Sequence, residues 1–383
     1  MKYFTAAFIF IATICFSQEH FGGFRTSSRI GILNATINPS ELVNLKSRFE
    51  VQLLSLSINT NNNTVGFKDL IAGENIEKKF FETKDPVNAN VDAEIQGPAF
   101  AMKAAGWGFA LTSKSYIKGS VVDVNSNMGD ALSNGGLNSL LGSAQINSDK
   151  NQRLTATAWG EIGLSAARKI FETNDHQISG GVTFKLLFPA SYANVGVDAL
   201  KGDINNVSGN LTLTNASAGV NFGYSGAFAN NFTNAEDFRQ SFFGGLNGFA
   251  TDLGLNYIMK STLSDYKLKV GASVRNIGTM TFKNDNARTS TYEFRLQGSQ
   301  ALNLNEVGQL EGPRDIENYL QTRGFLTRKE ESKDLKVKLP TVFNFYADFQ
   351  IIPTVSVTAF VQQKLNNNSG NDQINAQNSV SIT

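Results

Sequence analysis

The chain has 383 residues and carries 34 Lys and Arg against 33 Asp and Glu, a net charge of +1 that excludes the basic footprint of a nucleic-acid-binding protein. Its mean hydropathy is −0.18, and beyond the N-terminus no stretch offers about 18 consecutive apolar residues, which excludes a helical membrane span. Charged residues make up 17%, below the roughly 25% of soluble domains, while Gly (34) and Phe (29) are abundant.

The chain opens on Met1-Lys2-Tyr3, an apolar run from Phe4 to Ile14, and Cys15-Phe16-Ser17. A charge, a short greasy core and a small-residue exit predict a secretory signal peptide over 1–17, cleaved after Ser17. Lipoprotein processing at Cys15 would want a small residue where Ile14 stands. Cys15 is the only cysteine, so removal of the signal leaves no thiol for disulfide, zinc or redox chemistry, and no cofactor is expected.

Period-2 alternation is clearest over His176–Phe188, where Ile178, Gly180, Val182, Phe184, Leu186 and Phe188 share one face and Ser179, Gly181, Thr183 and Lys185 the other. The run before it, Leu154 to Ile170, joins it through Glu172-Thr173-Asn174-Asp175 and predicts a hairpin. Strands are predicted near 47–59, 64–69, 92–104, 106–118, 153–170, 176–190, 208–224, 246–260, 265–277, 290–298, 341–352 and 354–364, and another begins at 378. Several exceed the ~5–6 residues usual in soluble sheets and match the ~9–11 that cross a bilayer at a tilt. Polar residues placed opposite the apolar face, including Lys114, Asn256, Ser273 and the charged set Lys185, Asp252, Lys267, Lys269 and Arg275, suit a wet lumen. Asp252 is the expected acidic partner of Lys267, Lys269 and Arg275. An all-β antiparallel transmembrane barrel over 46–383 follows, with about fourteen strands when complete, because bacterial barrels have even strand numbers and the run at 378 simply stops. A soluble β-sandwich would turn its polar face outward.

Connections at 263–265 and 352–353 are tight and fit periplasmic turns; those at 119–152 and 299–339 are long and polar. Ile316, Tyr319 and Leu320 space a short helix in the second. Trp107, Tyr116, Tyr224 and Tyr257 are candidates for interfacial girdles. Enzymatic and metal chemistry find little support. The two histidines, His20 and His176, read as surface residues, and Asp123-Val124-Asn125-Ser126-Asn127 fails as a calcium loop because the turn glycine, Gly129, comes one place late and Asn134 stands at the twelfth position. Triplets such as Asn210-Leu211-Thr212 read as solvated strand ends.

Phe21-Gly22-Gly23-Phe24-Arg25-Thr26-Ser27, followed by Asn34-Ala35-Thr36-Ile37-Asn38-Pro39-Ser40-Glu41-Leu42, resembles the start of long-chain fatty-acid transporter-like (FadL-like) outer-membrane proteins. Asp252-Leu253-Gly254-Leu255-Asn256-Tyr257 and the run Lys269 to Gly278 resemble a hairpin of that superfamily and its type IX secretion relatives. Within it, the chain is similar to the uncharacterised DUF5723 family of Bacteroidota over nearly all of its mature length. The resemblance implies a fourteen-stranded barrel whose segment 18–45 enters the lumen as a plug, packed through Phe21, Phe24, Ile32, Leu33, Asn38 and Pro39. It transfers no ligand.

The expected function is capture or passage of a small hydrophobic molecule across a bacterial outer membrane, by release of the plug or through a lateral gap. The rival is a non-transporting barrel that serves as subunit or docking partner of a secretion or gliding apparatus. The expected partners are outer-membrane lipid, a hydrophobic small molecule and secretion-system proteins, with no nucleic acid.

Overall fold

The computed structural model describes residues 20, 31–72, 76–81, 83–133, 143–232, 245–262, 264–352, 355–366 and 370–383. The predicted signal peptide and the plug residues Phe21 and Phe24 lie outside them.

Among the described residues eighteen strands form one sheet in which every strand pair is antiparallel. They are β1 (Phe49–Gln52), β2 (Ser55–Asn62), β3 (Val87–Gln96), β4 (Ala99–Ala104), β5 (Trp107–Val124), β6 (Ser143–Asn147), β7 (Asn151–Glu172), β8 (His176–Val207), β9 (Asn210–Ser225), β10 (Gly248–Met259), β11 (Leu268–Phe282), β12 (Arg288–Arg295), β13 (Ala301–Asn303), β14 (Leu326–Ser332), β15 (Leu335–Lys338), β16 (Val342–Ile352), β17 (Val355–Lys364) and β18 (Ser379–Ile382). Among the described residues six short α-helices accompany them: α1 (Ile32–Ala35), α2 (Phe67–Ile71), α3 (Ile76–Phe81), α4 (Ser126–Ser133), α5 (Leu304–Gly308) and α6 (Pro313–Thr322).

The main wall runs β2-β3-β5-β7-β8-β10-β11-β16-β17-β18, with β1 and β4 extending its first two strands. At its two edges, β2 and β18 are not paired with each other among the described residues. Short turns close one end; at Ala105 (φ 51°) and Gly106 (φ 79°) both central residues are left-handed, the backbone that a tight β4–β5 hairpin demands. Long connections gather at the other end.

The sheet is inverted relative to a soluble one. Along β8 the outward Ile178, Val182 and Phe184 are 39–43% exposed, whereas the inward Ser179, Thr183 and Lys185 are at most 5% exposed. Phe109, Leu111, Leu164, Leu253, Leu255, Phe345 and Phe349 continue the exposed apolar face across neighbouring strands. Behind them Glu94, Lys114, Glu161, Asp252, Lys269, Arg275 and Asp348 are buried. The alternation predicts this assignment of faces correctly.

Several predicted elements are corrected. The strand at 64–69 gives way to α2, begun where Asp69 accepts from the Gly66 N–H at 2.7 Å. The strands at 208–224 and 290–298 exist as β9 and β12 but lie outside the main wall. β8 is 32 residues long; its first half pairs with β10, and its second half diverges to pair with β9, which pairs in turn with β12. The stretch 299–339 holds α5, β13, β14 and β15 besides the helix predicted at Ile316, here α6, and the stretch 119–152 holds α4 and β6.

Candidate functional site

Residues 31–45 pack against the face of the wall that carries the buried polar residues. Glycines let the backbones meet: a Cβ on Gly181 would lie 2.5 Å from Pro39 C and Ser40 N, and one on Gly108 2.5 Å from Leu42 C. Asn38 donates to the Leu255 carbonyl at 2.8 Å and accepts from the Ser40 N–H at 3.1 Å, capping the 3₁₀ turn Pro39–Asn44. Ser273 donates to the Ile37 carbonyl at 2.6 Å. Ile32 is buried with Leu42, Val43 and Leu45, and Leu33 is half-buried. Gly181→Val should force this segment back, at a cost of about 1–3 kcal/mol, and amide exchange over 31–45 should accelerate. Unchanged exchange would show that the segment does not rest on Gly181.

Four of the five charged residues singled out in the sequence, Lys185, Asp252, Lys269 and Arg275, are buried on the inward face, with partners other than those expected. Lys185 meets Asp252 at 2.8 Å and Glu161 at 3.5 Å, and donates to Asn276 Oδ1 at 2.6 Å. Arg275 donates to Gln362 at 2.8 Å and to the Thr36 carbonyl at 3.2 Å. Lys269 lies 3.8 Å from Glu41 of the 3₁₀ turn, whose carboxylate also accepts from Asn256 at 2.8 Å and from the Tyr346 hydroxyl. Asp252 therefore answers Lys185 rather than the basic residues of β11. Lys267 is exposed just before β11 begins and does not join the set.

A second site, which the sequence did not flag, lies on the other face of the wall. Paired residues share a face, and the pairs Leu164 with Phe184 and Leu154 with Val195 place Val195 on the outward side, beyond a bulge near Ala190. Val195, Val197, Val220 and Phe222 there are roofed by α4, α5 and α6 through Met128, Leu132, Leu304, Val307, Ile316 and Leu320. Between sheet and roof is an apolar cavity of about 210 Å³, completed by Gln152, Arg153 and the exposed Leu154.

One polar cluster ties α6 to the sheet. Glu317, 1% exposed, accepts from Tyr224 at 2.7 Å and from Tyr292, with Arg288 3.5 Å away. Burial and the bond to Glu317 push the Tyr224 hydroxyl up. Tyr319 donates to Glu306 of α5 at 2.7 Å, and burial together with that bond pushes its hydroxyl up to about 12. Both tyrosines thus remain donors at neutral pH.

With both faces of the wall described, the chain compares with known proteins as follows. Residues 39–381 match the family described as a family of unknown function, DUF5723. The chain belongs to the DUF5723 family. No curated protein matches this DUF5723 chain.

Three predicted positions in the DUF5723 chain are corrected. His20 is buried rather than on the surface, its Nδ1 2.9 Å from Ser57 Oγ and its Nε2 2.9 Å from Asp92; Asp92 also pairs with Lys118, so this trio ties His20 to β2 and β3. Tyr116 turns inward and stacks on Trp159 at 4.5 Å, and Tyr224 is buried under α6, so neither forms a girdle. Trp107 and Tyr257 do lie on the outward face near the short-turn end, where His176 stacks on Tyr257. Among the described residues no group of three or more His, Cys, Asp or Glu could hold a metal ion.

Proposed function

We propose that this protein is a bacterial outer-membrane β-barrel that captures a small hydrophobic molecule in the apolar cavity on the outward face of its wall. The cavity under α4, α5 and α6 carries this reading: its lining is almost wholly aliphatic and aromatic, and such a space stays dry and accepts apolar guests. Membrane insertion is supported by the inverted polarity, since only a closed barrel can present an apolar outer face while satisfying every backbone group. Closure requires the edges β2 and β18 to be bridged, and about fourteen strands is the size the family resemblance implies.

The route differs from release of a plug. Residues 31–45 fill the lower lumen, and Tyr192 and Arg153 hold the segment 370–375 across the upper lumen through Asn371, Gly370 and Asn375. A guest therefore moves between the outward face, where Leu154 stands exposed beside the cavity, and the cavity itself. No catalytic step is proposed.

With the full chain in lipid vesicles, N-phenylnaphthylamine should give a saturable fluorescence rise that Leu213→Trp, which fills the cavity, abolishes. An equal rise in both proteins would mean partition into lipid alone and would sink the reading. The filled lumen favours a second reading, a barrel that docks a secretion or gliding component instead of transporting. That reading gains if the probe finds no saturable site.

A further inference from the structure

On the outward face of β4, β5 and β7, Phe100, Met102, Phe109, Leu111, Leu164 and Ala166 line an open groove of about 410 Å³. The strand register makes it: Phe109 stands opposite Ala166, whose methyl leaves a trough among rings and leucines. At its head, beside the Ala105-Gly106 turn, Trp107 pairs with Arg168. Trp107 stacks on Phe109 at 5.9 Å with the rings 6° from parallel, and the Arg168 guanidinium lies 5.1 Å from the Trp107 ring. On the far border Phe49 pairs with Met102 and stacks on Phe100, with the Arg48 guanidinium 5.4 Å from its ring.

Both arginines are exposed, and neither makes an ion pair with a described residue. Glu172, the nearest acid in sequence on β7, is held by Lys169 at 3.0 Å and Lys260 at 2.9 Å. Two unmatched cations thus crown an apolar trough. A guanidinium braced on an aromatic ring is held in place while its N–H fork stays available to grip a phosphate with two hydrogen bonds. Tryptophan favours the level where hydrocarbon meets headgroups. An acyl chain lying in the groove therefore brings its phosphate to the height of Arg168.

We propose that the groove binds one anionic glycerophospholipid, with an acyl chain along Phe100, Phe109 and Ala166 and its phosphate on Arg168, while Arg48 supplies a second positive charge at the rim. The site is separate from the roofed cavity and rests on the membrane-inserted reading above. Short turns of such barrels face the periplasm, where the leaflet is built of phospholipid, so the occupant is a phospholipid and not a lipopolysaccharide.

Trp107 is itself the reporter, since the other tryptophan, Trp159, is 2% exposed and stacks inward on Tyr116. The full chain is placed in phosphatidylcholine vesicles in which a minor fraction is either phosphatidylglycerol or phosphatidylcholine with dibrominated acyl chains. Bromine quenches a tryptophan that it touches, and Trp107→Phe supplies the background. Brominated phosphatidylglycerol should quench Trp107 with an apparent affinity roughly tenfold above that of its zwitterionic counterpart, the worth of one charge-assisted hydrogen bond. Arg168→Gln should bring that ratio close to one while both lipids still quench. Ala166→Phe fills the trough and should also remove the preference, although both arginines remain. Equal quenching by the two lipids in the unaltered chain, or a preference that survives either substitution, overturns the site and leaves the membrane reading standing. Leu253→Trp in the Trp107→Phe chain reports on the outward wall two strands from β7. Quenching there without quenching of Trp107 means that protein, such as a second copy, covers the groove, and it overturns the lipid site alone. Quenching of neither reporter overturns the site and the membrane reading together.

Discussion

Asp252→Ala is expected to cost about 3–5 kcal/mol, the usual penalty for stripping one partner from a buried ion pair. Asp252 and Lys185 are each 3% exposed and 2.8 Å apart, so water cannot readily replace the lost carboxylate. Glu161 at 3.5 Å remains as partial compensation, which places the expected value toward the lower end of that range. A second loss adds to it: Asp252 Oδ1 accepts from the Asn276 N–H at 2.7 Å, at a left-handed residue (φ 59°) opposite a break in the β10–β11 register. Asp252→Asn retains an acceptor for that N–H and removes only the charge, so the difference between the two variants separates the backbone tie from the ion pair. Folding titrations by urea in lipid vesicles supply both numbers. A loss below about 1 kcal/mol for Asp252→Ala would mean that the lumen is wet enough to solvate Lys185 unaided.

Val182→Arg should cost about 2–4 kcal/mol in a bilayer. Val182 is 41% exposed and is flanked across the strands by Leu253 on β10 and Ala166 on β7. It lies midway along the ladder that pairs His176–Leu187 with Gly248–Met259, close in length to the ~9–11 residues that cross the hydrocarbon. In water the same change at so exposed a position would stay within about 0.5 kcal/mol. The titration therefore separates a lipid-facing wall from a soluble sheet, and a negligible effect in vesicles would remove the membrane assignment.

The sequence alone determined which residues share a face. Side chains on a strand alternate by geometry, so Lys114, Lys185, Asp252, Lys269 and Arg275 could be set opposite Phe109, Val182 and Leu253 without knowledge of any neighbour, and the structure buries all five. The helix at Ile316 was legible for the same reason, at its own period. Partners were not legible: Asp252 meets Lys185, 67 positions away, because the β8–β10 register sets them side by side, while the residues of β11 are displaced by a register break that alternation does not mark. The same alternation puts Tyr116 on the face of Lys114 and Trp107 on that of Phe109; what local pattern could not supply is the ring of Trp159 on β7 against which Tyr116 stacks. The exchange of β10 for β9 along the second half of β8, the burial of His20 between Ser57 and Asp92, and the cavity lined from Val124 to Leu320 were decided by tertiary structure. Each rests on contacts between segments tens to hundreds of residues apart, and the period of a single strand carries no information about what packs across from it.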